Sequence, residues 1–208
     1  MSEKEKRQVT LSKALGGLDS SHRKLSNRDL RASEYYDEIL SVYRRLGGIL
    51  PVVPCNLKKG DIVLPDIIVE LDEEQHFNRY RLLTLESPLY NELKRFPLDE
   101  YKSYCKKHER ACRTDGRFWT SKPCEMQFGK AGERGVLDGM GAPRWKQRAF
   151  YDFLKDLSGL IIGTQYIRVS IYDKVQTSDL VKTVDHVIRN REQEGIQAIK
   201  GIITTRTH

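Results

Sequence analysis

The residues best suited to chemistry lie in one stretch, GDIVLPDIIVELDEEQHFNRYR, from Gly60 to Arg81. Asp61 precedes an apolar run, and the chain returns to acid at Glu70-Leu71-Asp72, followed by Gln75-His76. Side chains alternate faces along a strand, so Glu70 and Asp72 share one face and Leu71 takes the other. Ile67-Ile68-Val69 reads as a buried strand, and a carboxylate pair at its end is costly unless something neutralises it. A divalent ion, Mg²⁺ or Mn²⁺, does so with several hard oxygen ligands from two neighbouring strands. Asp61, Glu70 and Asp72 are the expected ligands, helped by a backbone carbonyl near Leu71. The chemistry implied is phosphodiester hydrolysis, in which the ion lowers the pKa of a bound water and neutralises the attacked phosphate. His76 is placed to assist proton transfer. The bland alternative is a strand ending in solvated acids, with Glu73 and Glu74 continuing the run.

Asp, a short apolar hairpin, then Glu-x-Asp with Gln-His close behind resembles the restriction-endonuclease-like superfamily, whose signature is written PD-(D/E)XK. Within it the pattern is most similar to the very-short-patch-repair-type endonucleases and their small relatives. The resemblance matches Asp61 to the family aspartate, Glu70 and Asp72 to the acidic pair, and Gln75 and His76 to the trailing polar pair. It also implies a glutamate on the helix before the hairpin, which Glu38 fits better than Glu34. A closing helix, PRWKQRAFYDFLKDL, and a strand, QYIRVSIYD, complete the likeness over about two-thirds of the chain. Two positions depart from the pattern. Asp72 stands where the family lysine is usual, and Glu73 where a glycine is common. Lys146, Arg148 or Gln75 are the candidates to supply what the lysine would.

A second group is Cys105, His108, Cys112 and Cys124, spaced C-x2-H-x3-C with the last cysteine after a loop. Three thiolates and an imidazole satisfy tetrahedral Zn²⁺, and in a reducing compartment clustered cysteines serve as ligands more often than as disulfides. Unrelated thiols are the equal alternative. Cys55, between Pro54 and Asn56, reads as a small buried residue. A third group, Arg144, Lys146 and Arg148, opens the closing helix. Cations there oppose the helix dipole unless an anion is to be bound. With Arg79 and Arg81 they are the expected nucleic-acid contacts.

The elements that must position these groups follow from periodicity. Residues 1–30 are polar and mixed in charge and read as a flexible arm. Ser33 is placed to cap a helix from Glu34 to Leu46, which Gly47-Gly48 ends. Residues 49–57 read as an irregular or edge strand. A helical segment follows Asp72 through His76, Tyr80 and Leu83. Residues 86–143 carry three of the four cysteines and few long apolar runs, and read as a zinc-stapled insertion. Pro143 opens an amphipathic helix with Trp145, Ala149, Phe150, Phe153, Leu154 and Leu157 on one side. Ile167, Val169 and Ile171 then alternate with Arg168, Ser170 and Tyr172 as a strand, and Ser178 caps a final helix to about Arg191.

Of 208 residues, 38% are hydrophobic and 31% charged, which suits a globular fold with a modest core. No apolar run is long enough to cross a bilayer, and the N-terminal MSEKEKRQV has no hydrophobic signal region, so a cytoplasmic protein is expected. The net charge of +7 is compatible with a polyanionic partner and equally with simple solubility. The expectation is an α/β domain over 31–208: a restriction-endonuclease-like mixed sheet flanked by helices, with the cysteine-containing insertion. Its expected activity is Mg²⁺-dependent endonucleolytic cleavage of DNA. Cleavage of structured RNA by the same site, or an inactive nucleic-acid-binding or scaffold protein that keeps the fold, are the alternatives.

Overall fold

The computed structural model describes residues 3–178 and 180–207, with side chains from 5 onward. A mixed α/β architecture is built around a three-stranded sheet. Strand β1 (Ile62–Val63) runs antiparallel to β2 (Ile67–Asp72), in register Ile62 to Val69, and the Leu64 N–H closes the turn on the Ile67 carbonyl. Strand β3 (Gln165–Ser170) lies parallel to β2 on its other side, with Glu70 opposite Arg168 and Asp72 opposite Ser170. A parallel neighbour requires a crossover. Its last leg is a 20-residue helix from Pro143 to Ile162, opened by proline and closed by Gly163 in the left-handed conformation (φ 75°).

Along the chain the helices are α1 (Glu3–Leu15), α2 (Asn27–Ala32), α3 (Tyr36–Arg45), α4 (Arg79–Thr84), α5 (Leu98–His108), α6 (Lys122–Phe128), α7 (the crossover helix), α8 (Val184–Asn190) and α9 (Gln193–Thr207). A hairpin of β4 (Lys174–Gln176) and β5 (Val181–Thr183) precedes α8. No helix among the described residues is long and apolar enough to cross a membrane.

Helices cover both faces of the sheet. Val69, Leu71, Ile167 and Val169 pack with Leu11 of α1, Val184 and Val187 of α8, and Ile196, Ile199 and Ile203 of α9. The opposite face carries Glu70, Asp72 and Arg168 toward α7. Behind α7 lies an aromatic-rich core that includes Tyr43, Phe77, Tyr101, Trp119, Phe128, Trp145, Phe150 and Phe153.

Several expectations change. Part of the expected arm is built in: Leu11 is buried, and Arg7 pairs with Glu74 at 3.0 Å, Glu73 at 3.4 Å and Asp185 at 2.8 Å. Ser33 ends α2 instead of opening α3, and the capping box of α2 belongs to Ser26 and Asp29. Segment 49–57 forms no strand. The stretch 86–143 is not stapled separately. Tyr90, Tyr101, Trp119 and Phe128 sink into the common core, where the Trp119 and Trp145 rings meet at 5.7 Å. The expected final helix starts later, after β5, and is followed by α9.

Candidate functional site

The shared face of Glu70 and Asp72 holds, but the two carboxylates enter different surroundings. Asp61 lies just before β1, and its Oδ2 accepts the Leu71 N–H at 3.1 Å, which pins it beside Glu70. Glu70 is 2% exposed. Its Oε2 accepts from Lys155 Nζ of α7 at 2.7 Å, while Oε1 is buried with no hydrogen-bond partner. Burial, reinforced by the Asp61 charge, pushes the Glu70 carboxyl up to about 7 against the pull of Lys155 and Arg168. Burial disfavours the Lys155 ammonium too, yet the Glu70 carboxylate overcomes this and raises it. Gly60 makes the geometry possible. A Cβ there would stand 2.1 Å from Ile68 Cγ2 and 3.0 Å from Glu70 Oε1, so only glycine lets the chain pass over that oxygen.

Asp72 is taken by a separate ionic network. Arg168 Nη1 reaches Asp72 Oδ1 at 2.9 Å and Asp152 Oδ1 at 3.2 Å, while its Nε meets Asp156 Oδ1 at 2.7 Å. Tyr101 donates to Asp72 Oδ2 at 3.0 Å, and Arg81 Nη2 donates to Asp156 Oδ2 at 2.6 Å. His76 Nδ1 lies 2.8 Å from Asp152 Oδ2 and 3.2 Å from Asp72 Oδ1. Despite burial, His76 and Arg168 hold Asp152 well below the usual carboxylate range. Among the described residues, Asp72, His76 and Asp152 are the group of three whose ligand atoms could share one ion. Arg168 already stands between those two carboxylates as their cation. Asp61, Glu70 and Asp72 do not form such a group among the described residues, and Asp72 pairs with Arg168 instead of joining Glu70.

The lysine that stands beside Glu70 is Lys155, a residue that sequence reasoning passed over. Lys146 and Lys155 are nine positions apart on α7, two and a half turns, so they leave opposite sides of the helix. Lys146 lies against Tyr80, its Nζ 5.5 Å from the ring centre, where burial lowers its pKa. Lys155 faces the sheet, as do Asp152 and Asp156. The signal was available: these three polar residues interrupt an otherwise apolar run, Phe153-Leu154 and Leu157.

The other expected site residues go elsewhere. Glu38 Oε1 accepts from Ser87 Oγ at 2.8 Å. Gln75 Oε1 is buried without a partner, and its backbone carbonyl accepts from Arg148 Nη1 at 3.3 Å. Arg81 is corrected outright as a nucleic-acid contact, being 1% exposed and committed to Asp156. Arg79 is held by Glu109 and Asp138, and Arg144 donates to Gln147.

The zinc candidates do not gather. Cys112 donates to the Glu74 and Phe77 carbonyls at 3.0 and 3.4 Å, and Cys124 to Gln147 Oε1 at 3.2 Å. The His108 ring stacks on Tyr172 at 3.6 Å. Burial pushes the Cys105 and Cys112 thiols up to about 12, which leaves both as unreactive thiols. A zinc chelator should therefore leave the unfolding midpoint unchanged, and both thiols should resist alkylation at pH 8 in the native protein. Stoichiometric zinc in the purified protein would contradict this.

No curated protein and no solved structure matches the chain. A family model described as "Family of unknown function (DUF7255)" matches residues 41–190, a span that includes Asp61, Glu70, Lys155 and the Arg168 network. That span is well over half of the 208 residues, and the chain belongs to the DUF7255 family.

Proposed function

We propose that this chain is a divalent-metal-dependent nuclease of the restriction-endonuclease-like PD-(D/E)XK type, with Asp61, Glu70 and Lys155 as its centre and DNA as its substrate. One observation carries the reading. A buried carboxylate, Glu70, has one oxygen on a lysine and the other unpartnered, with a second acid fixed beside it. An orphaned buried carboxylate oxygen is costly, and a cation shared with Asp61 satisfies it. The order of parts agrees: aspartate, hairpin, glutamate on β2, crossover helix, then a parallel strand. Lys155 reaches Glu70 from the helix and provides the charge that Asp72 cannot.

In this reading Asp61 and Glu70 would hold the ion, and the Leu71 N–H fixes the Asp61 carboxylate beside Glu70. A bound divalent cation supplies Lewis acidity and neutralises phosphate charge. Lys155 favours the ionised form of Glu70 against the effect of burial and offers its remaining N–H donors to an attacked phosphate. Asp72, His76, Asp152 and Arg168 lock β2, β3 and α7 together, which fixes the spacing between Glu70 and Lys155.

The test is an assay on plasmid, single-stranded DNA and RNA with Mg²⁺, Mn²⁺ or EDTA. Cleavage of DNA that needs metal and rises with pH through about 7 is the expected result, because below that value a proton on Glu70 competes with the ion. The same ions should raise the unfolding midpoint more at pH 8 than at pH 6. Without metal the sign reverses. The Glu70 pKa is raised on folding from its ordinary 4.5, so its contribution to stability is full below about 4.5 and is lost as pH rises through about 7. Binding without metal-dependent cleavage would support an inactive nucleic-acid-binding protein instead, and cleavage of RNA alone would change the substrate.

A further inference from the structure

We infer that the groove between α1, α8 and α9 binds the phosphate backbone of a nucleic acid, on the face of the sheet opposite the Asp61–Glu70 centre. The groove has a volume of about 670 Å³ and is lined by Lys6, Arg7, Lys13, Arg189, Arg191 and Lys200 with no aspartate or glutamate. Arg7 is neutralised by Glu73, Glu74 and Asp185, and Arg189 pairs with Asp185. Lys13, Arg191 and Lys200 have no ion-pair partner among the described residues. Three unneutralised cations from three different segments therefore converge on one concave surface.

An independent observation points the same way. Arg191 ends α8 in the left-handed conformation, φ 54° and ψ 39°, the one positive φ at a non-glycine residue among the described residues. Glycine is the default at such a helix end, and a side chain there is strained. The arginine at that position lines the groove.

The lining also selects the kind of anion. No aromatic ring is present to stack on a base, so contact is with phosphates and not with sequence. No carboxylate is present to hold a bridging metal. Thr10, Gln193 and Gln197 add hydrogen-bonding groups suited to phosphate oxygens. Val9 is the only exposed large apolar residue in the lining, which is poor equipment for inserting into a lipid surface. The inference stands whether or not the chain cleaves its substrate.

Fluorescence anisotropy with a labelled DNA duplex in EDTA tests it apart from any cleavage. Combined Lys13→Glu, Arg191→Glu and Lys200→Glu should weaken binding by more than about tenfold near physiological salt and reduce the salt slope by about three. Lys106→Glu with Lys107→Glu, exposed at the end of α5, should change the slope far less. Arg191→Gly should relieve the strained turn, leave or raise the unfolding midpoint, and still reduce the slope by about one. Equal effects of the groove and α5 reversals, no binding by the unaltered protein, or full binding by Arg191→Gly would overturn the proposal. Loss of binding to phosphatidylserine vesicles with DNA binding intact would overturn it in favour of a lipid surface.

Discussion

Arg168→Met is expected to destabilise the fold by about 3–5 kcal/mol at pH 7.5, the range for breaking a buried ion pair from one side. Arg168 is 2% exposed and its guanidinium serves Asp72, Asp152 and Asp156 together, besides donating to the Asp152 carbonyl at 2.9 Å. Methionine fills similar volume but leaves three buried acids with less compensation. Arg81 still covers Asp156 and His76 still contacts Asp72 and Asp152, so the first two acids to suffer are Asp72 and Asp152.

The pH dependence of this loss is diagnostic. In the unaltered protein Asp152 is held below its ordinary value of 3.8, so its stabilising contribution is present above about 3.8 and is lost as pH falls through the folded value. Without Arg168, one of the cations that hold Asp152 down against burial is gone, so the variant should recover stability relative to the unaltered protein as pH is lowered from 8 to 5. Adding Asp72→Asn and Asp152→Asn should restore part of the loss at pH 7.5. Urea unfolding across that pH range checks all three statements. A destabilisation below about 1 kcal/mol that does not vary with pH would show that the network is solvated.

Where the sequence was informative, the reason was local. Pro143 and Gly163 delimit α7, and the apolar stripe between them needs no tertiary knowledge. The alternation of Ile167 and Val169 with Arg168 and Ser170 marks β3 equally well. What alternation could not say is that both faces of this sheet are covered. Arg168 reads as a solvent-facing residue on a one-sided strand, whereas here it is the most heavily used cation of the interior. A charge between β-branched residues, opposite a Glu-x-Asp strand, was the available clue.

The ends of the chain were hidden for a different reason. Helix α1 is strongly charged, and Arg7 finds its acids more than sixty residues away at Glu73 and Glu74. Helix α9 contains Gly195 and Gly201 and several isoleucines, a composition of low helical propensity. Gly195 is required by packing, because a Cβ would stand 2.5 Å from Val187 Cγ2 on α8. Tertiary contact therefore overrides propensity at both ends. The cysteines misled because the segment around them looked too polar to fold unaided. Its tyrosines and tryptophan instead enter the core shared with α3 and α7.

Part of the site could be read and part could not. Asp61 and Glu70 were marked by type, spacing and strand parity. Lys155 lies 85 residues after Glu70 on a helix whose basic first turn drew attention instead. Only the register of α7 against β2 reveals which lysine turns inward.

Lys155→Ala and Asp61→Asn are expected to have the largest effects on activity. If Lys155 supplies the motif lysine's charge, its loss should reduce cleavage by at least about a hundredfold, the scale of removing one electrostatic contact to a transition state. Asp61→Asn keeps the Leu71 hydrogen bond through the amide oxygen but removes a ligand charge, so it should abolish cleavage and metal-induced stabilisation together. Lys146→Ala, on the far side of α7, serves as the matched control and should retain most activity. The decisive measurement is Mg²⁺-dependent nicking of supercoiled plasmid at pH 8 by these three variants and the unaltered protein, each confirmed folded by circular dichroism. Activity is expected in the unaltered protein and Lys146→Ala, and none above background in Asp61→Asn or Lys155→Ala. Undiminished cleavage by Asp61→Asn and Lys155→Ala would remove Asp61 and Lys155 from the proposed centre.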